Sequence, residues 1–191
     1  MMRIIGGRAR GRRLKAPKGL AVRPTSGRVK EALFNILPRN LGGLNVLDLF
    51  AGSGNLTIEA LSRGAARATL VDSSSESAKV MRENLAALSL SDRARILTLP
   101  VSRALRRLAR QGERFDVIFL DPPYERGLAA PVLHALGDGA LLRPSGVVIA
   151  EHSVREHLDE VYGTLALDDR RRYGATVLSF YRIRDRRASN P

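Results

Sequence analysis

The chain has 191 residues and no cysteine, enough for one domain with a real core and a short appendage, and disulfides and thiolate metal sites are excluded. Neither a membrane-spanning apolar run nor a secretory h-region is present, so no membrane partner is expected and a cytoplasmic location fits. Thirty-two basic residues outweigh nineteen acidic ones, for a net charge of +13, and ten of the basic residues lie within residues 1–30, which contain no acid. A block of this density attracts polyphosphate and points to a nucleic-acid partner.

In chain order, Ile4-Ile5 followed by Gly6, Gly7 and Gly11 predicts a basic β-hairpin or extended arm, too polar to own a core, ending near Pro17. Thr25 or Ser26 then caps a helix whose apolar positions Val29, Leu33, Ile36 and Leu37 recur at helical spacing. Gly42-Gly43 marks a boundary, which predicts a basic hairpin-and-helix extension over 1–40 suited to nucleic acid, a main domain over 41–184 and a basic tail over 185–191. From Asn45 the pattern is strand, turn, helix, repeated. Strands are predicted at 46–50, 68–71, 96–99, 117–120 and 147–150, and helices at 57–63, 75–88, 102–110, 128–136 and 154–162. Segments 165–171 and 177–183, separated by Tyr173-Gly174, predict an antiparallel hairpin. Alternating β and α units with short loops argue for an α/β fold, a mostly parallel, doubly wound sheet covered by helices on both faces.

Two strand ends carry the candidate chemistry. The run ending at Leu120 delivers Asp121-Pro122-Pro123-Tyr124 to the carboxyl edge of the sheet, where ligands of open α/β folds sit. The prolines stiffen the turn and leave carbonyls free to accept, so Asp121, the Pro122 carbonyl and the ring of Tyr124 suit a planar base with an exocyclic amino group. The same residues are also compatible with an ordinary strand-ending turn. The first strand runs into Asp48-Leu49-Phe50-Ala51-Gly52-Ser53-Gly54, where the third glycine of the dinucleotide fingerprint is replaced by Thr57. That favours a cofactor without phosphate, S-adenosylmethionine, over a nicotinamide dinucleotide. Asp72, 18 residues past Gly54, either accepts ribose hydroxyls or caps the next helix. The histidines His134, His152 and His157 have no metal-ligand spacing, and no metal is expected.

These motifs resemble those of the class I S-adenosylmethionine-dependent methyltransferases, and Asp121–Tyr124 resembles the signature of those that methylate an amino or amide nitrogen. Arg3-Ile-Ile-Gly-Gly, Arg23-Pro-Thr, Arg28–Leu37, Leu47–Gly54, Glu59–Ala65 and Tyr173-Gly174 are similar to the RsmD family, guanine-N2 methyltransferases of 16S ribosomal RNA. The resemblance implies a Rossmann-like fold with a seven-stranded, mostly parallel sheet and a C-terminal antiparallel hairpin. It also implies S-adenosylmethionine as cofactor, held by Asp48, Phe50, Ala51, Gly52, Gly54, Asp72 and Ser73. Asp121, Pro122 and Tyr124 are the expected catalytic residues. Arg3, Arg8, Arg10, Arg12, Arg13, Lys15 and Arg23 are the expected contacts to 16S rRNA or the assembled small subunit, and a monomer is expected. The chain departs from the family after the third strand, where Pro100-Val101-Ser102-Arg103 offers no acid for the adenine amino group, and at Asn55–Ile58 after the glycine turn. An adenine-N6 or glutamine methyltransferase shares the pocket chemistry, and a non-catalytic RNA-binding assembly factor shares the basic arm.

Overall fold

In the computed structural model, residues 2–17, 27–123 and 126–184 are described. Helix α1 spans Gly27–Ile36, and its caps Thr25 and Ser26 lie outside the described residues. There follow β1 Asn45–Leu49, α2 Asn55–Ser62, β2 Arg67–Asp72, α3 Ser75–Ala87, β3 Ala94–Thr98, α4 Val101–Arg110, β4 Phe115–Leu120 and α5 Ala129–Leu136. The chain ends with β5 Leu142–Ser153, β6 Val161–Tyr162, β7 Leu165–Tyr173 and β8 Thr176–Ile183. One sheet holds all the strands in the order β3-β2-β1-β4-β5-β8-β7-β6. The first five are parallel and the last three antiparallel. Strand order reverses between β1 and β4, which opens a crevice at their carboxyl ends.

The parallel strands are apolar because both faces are covered. Leu70, Phe119 and Ile149 belong to the buried cluster that α1, α2 and α3 cover on one face, with the Phe119 ring against Phe34 of α1, and Leu49, Ile118, Leu120 and Val148 belong to the cluster that α4 and α5 cover on the other. The N-terminal segment closes as an antiparallel turn, with Ile4 N–H donating to the Arg12 carbonyl (3.0 Å) and Leu14 N–H to that of Met2 (3.1 Å). Ile4 and Leu14 join the same buried cluster as α1, α2 and α3. The contact is close at Gly7, whose φ is +71° and where a Cβ would sit 2.0 Å from the Ser62 carbonyl oxygen, so only glycine fits.

Two expectations need correction. Residues 154–162 are not a helix, although Val154, Leu158, Val161 and Tyr162 have its spacing. Tyr162 is fully buried with its ring edge-on to those of His134 and Tyr181, and Val161–Tyr162 pairs with Leu165–Ala166. Tertiary burial of one large side chain overrides a weak local propensity there. This short strand β6 is also why the sheet has eight strands rather than seven.

Candidate active site

After β1 the chain turns through Phe50 (φ 64°) and Gly52 (φ 56°) to Gly54 (φ 79°), which caps α2. A phenylalanine at positive φ is held only where its surroundings determine it. Here Ala51 N–H donates to the Val71 carbonyl (2.9 Å) and Gly54 N–H to the Ala51 carbonyl (2.7 Å). The two glycines serve different ends. A Cβ on Gly52 would meet nothing nearer than 4.0 Å, whereas one on Gly54 would lie 3.1 Å from Leu70 and 3.3 Å from Ile58. Gly54 therefore lets α2 settle onto β2, and the room for a ligand is beside Gly52.

The register of the sheet assembles the acids. Val71, Leu49, Leu120 and Ala150 form one row across β2, β1, β4 and β5. The next position in each strand is Asp72, Phe50, Asp121 and Glu151, so three carboxyl groups line one edge. Asp48 lies one step behind. Asp72 is fixed from both sides: Oδ2 accepts from Gly52 N–H (2.9 Å) and Oδ1 from Ser74 N–H (2.8 Å). Each oxygen keeps a lone pair for a further donor. Capping of α3 falls instead to Ser74, whose hydroxyl accepts from Ser77 N–H (3.2 Å). Ser73 is exposed beside them, and Ala51 is buried. Pro122 is buried and Asp121 half-buried at the opening, while Tyr124 lies outside the described residues. Glu151, 3% exposed, belongs to none of the motifs in the sequence. Its one signal was its place directly after the apolar run Val147–Ala150.

Asp48 is also buried, and its Oδ2 accepts from Thr57 Oγ1 at 2.5 Å. Thr57 thus fills the place of the missing third glycine. Burial pushes the Asp48 carboxyl up from 3.8 to about 7; the Thr57 hydroxyl opposes this, and the charges of Asp121 and Asp72 add to it. An acid whose pKa is raised by folding binds more protons in the native than in the unfolded chain, so stability falls as pH rises between the two values. Relative to Asp48→Asn, the protein is expected to lose on the order of 4 kcal/mol as the pH rises from about 3 to about 8, and little more above that. Urea unfolding of both proteins across this range checks it, and parallel pH profiles would refute it.

The basic hairpin adjoins the glycine turn. Asn84 Nδ2 donates to the Ser53 and Lys15 carbonyls (both 3.0 Å), and its Oδ1 accepts from Lys15 N–H (2.9 Å). Ser53 Oγ sits 3.4 Å from the Met2 sulfur. Of the predicted RNA contacts, Arg3, Arg8, Arg10 and Arg13 are exposed on this hairpin. Arg12 donates to the Ala87 carbonyl at the end of α3 (3.1 Å), Lys15 pairs with Glu83 (2.7 Å), and Arg23 lies outside the described residues. On the far side of the edge, Leu99 N–H donates to the Asp72 carbonyl (3.1 Å), which brings the acid-free start of α4 up to the same rim.

A sheet that reverses at this crevice, a glycine turn with open space and an acidic edge define a methyltransferase of class I architecture. The chain belongs to the family described as Conserved hypothetical protein 95, whose model matches residues 2–182. It is 37% identical to the ribosomal RNA small subunit methyltransferase D of Escherichia coli strain K12, over 94% of this chain and 89% of that protein. The enzyme of the same name from Haemophilus influenzae is 37% identical over 78% of each chain. A solved hypothetical protein from Thermus thermophilus superposes with a TM-score of 0.82 at 35% identity, over 96% of this chain and all of that one. A methyltransferase solved with SAH shares the fold at 16% identity and a TM-score of 0.65, covering 82% of this chain and 48% of that one.

Proposed function

We propose that the chain methylates the exocyclic N2 of a guanine in 16S ribosomal RNA of the small subunit. The observation that carries this reading is the acidic row Asp72, Asp121 and Glu151 beside the open face of Gly52, at the reversal point of the sheet. The names of the relatives support the substrate class. The methyl donor is S-adenosylmethionine, which supplies, when bound, an electrophilic sulfonium methyl open to in-line displacement. The site fits such a cation: Asp72 presents a fixed carboxylate with spare acceptor capacity for ribose hydroxyls, and Asp48 lies behind the turn ready to become charged when a positive group approaches. Asp48, Phe50, Ala51, Gly52, Gly54, Asp72 and Ser73 form this half of the site.

The other half acts on the amine. Guanine N2 is a weak nucleophile because its lone pair is delocalised into the ring. Asp121 and the Pro122 carbonyl accept the two N–H bonds, orient the nitrogen and stabilise the positive charge that develops on it, and the proton that the methylated nitrogen sheds passes to Asp121 or solvent. Tyr124 stacks on the base, which must be unpaired or flipped to enter. The hairpin arginines set the register of the RNA through its phosphates, and the enzyme works as a cytoplasmic monomer. Changing Arg8, Arg10 and Arg13 together to Gln is expected to lower the salt slope of RNA binding by about 2 while leaving cofactor affinity unchanged. Titrations at several salt concentrations measure this, and an unaltered slope would remove the hairpin from the interface. The reading as a whole is tested by incubating the protein with labelled S-adenosylmethionine and unmodified small subunits, then identifying the nucleoside. Label in N2-methylguanosine supports it, and label elsewhere or none refutes it.

A further inference from the structure

Helix α4, VSRALRRLAR, has a second basic surface far from the hairpin in sequence. Val101, Ala104, Leu105 and Leu108 are buried against the sheet, which leaves Arg103, Arg106, Arg107 and Arg110 exposed. These occupy positions i, i+3, i+4 and i+7, so they form one stripe along the helix. Over seven residues the stripe is about 10 Å long, comparable to the axial length of about three phosphates on one strand. None of the four side chains makes an ion pair or hydrogen bond to another described residue. The helix itself contains no acid, and the two acids that follow it are already engaged: Glu113 with Arg95 (3.3 Å) and Asp116 with Arg143 (3.5 Å). The arginines of β7 behave otherwise. Arg170 donates to the Leu158 carbonyl, Arg171 pairs with Asp169, and Arg172 donates to the Gly174 carbonyl.

Helix stability does not account for the stripe. Like charges three and four apart repel, and Arg103 stands in the first turn, at the positive end of the helix dipole. Arg107 and Arg110, near the other end, suit the dipole; Arg103 and Arg106 do not. The position is informative too. The helix begins beside Asp72 at the carboxyl edge, and it covers the sheet face opposite the one carrying α2, α3 and the hairpin.

We infer that the α4 stripe is a second docking surface for the sugar-phosphate backbone of the RNA, gripping it on the sheet face opposite the hairpin. Guanidinium forks match phosphate oxygens in pairs, and an acid-free helix gives them no competing partner. The inference rests on the RNA reading above. Its test is the double variant Arg103→Gln with Arg106→Gln, compared with wild type for binding to unmodified small subunits between about 50 and 200 mM salt, for methyl transfer, for cofactor binding by calorimetry and for thermal stability. Over that range affinity carried by phosphate contacts falls steeply, so a lost contact shows in the slope. Affinity is expected to fall roughly 10-fold or more and the slope by about 1.5, with cofactor affinity unchanged and the melting temperature equal or higher. Unchanged affinity and slope in the variant, with an active wild type, overturns the stripe alone. A melting temperature that falls together with affinity assigns the arginines a structural role and also overturns it. A wild type that neither binds nor methylates the particles defeats the RNA reading itself, and the inference with it.

Discussion

Asp121→Ala is expected to lower turnover by about 10²- to 10³-fold, the usual loss when one preorganised partner of a developing charge is removed. Cofactor affinity should stay within a few-fold, because the residues proposed to hold the cofactor belong to the β1 and β2 ends and are fixed independently. Asp72 is held by Gly52 and Ser74, and the turn by Val71. The substitution also removes one of the charges that raise the Asp48 carboxyl, so that group should titrate lower in the variant. Asp121→Asn keeps an acceptor oxygen without the charge, and its turnover should lie between the two. Single-turnover methyl transfer, paired with calorimetry for the cofactor, measures both effects. Wild-type turnover by Asp121→Ala would end the proposed role of this corner.

Glu59→Ala is expected to destabilise the protein by about 3–5 kcal/mol, the cost of leaving a buried charge unpaired. Glu59 is fully buried and is the hub of the N-terminal packing. Its Oε2 takes Ile5 N–H and the Lys30 ammonium, both at 2.9 Å, and its Oε1 takes Arg63 Nε at 2.9 Å. Lys30, 2% exposed, also donates to the Arg3 carbonyl (3.0 Å) and Asn55 Oδ1 (2.7 Å). One carboxylate therefore ties the hairpin, α1 and α2 together. Burial lowers the Lys30 pKa and Glu59 opposes that, so loss of Glu59 leaves an ammonium with a strong drive to deprotonate or escape. The melting temperature should drop by on the order of 10 °C. RNA affinity should fall with it as the hairpin detaches. Replacing Lys30 and Glu59 together by Met should recover much of the loss, since a buried pair exchanged for apolar side chains of similar size is often neutral. A single variant that melts within about 2 °C of wild type, a margin of roughly 1 kcal/mol or less, would show that the network is dispensable.

Much of this was legible in the chain alone. Apolar runs of strand length ending in Asp48–Gly54, Asp72 and Asp121–Pro123, with helical periodicity between them, were enough to predict a doubly wound sheet and to put the candidate site residues at its carboxyl edge. Both signals are local: a buried parallel strand is apolar throughout, and a turn beside a ligand needs glycine or proline within a few residues. The tertiary structure decided what each charge is for. Within the basic N-terminal block, Lys30 is buried on Glu59, Arg12 and Lys15 are tied to α3, and Arg8, Arg10 and Arg13 stay exposed. Composition counts all six alike. The alignment of Asp72, Asp121 and Glu151 in one row, the strand at Val161–Tyr162 and the exposed arginine stripe on α4 likewise depend on neighbours distant in sequence. Periodicity tells which face of an element is buried; only packing determines what that face, and the one opposite, will meet.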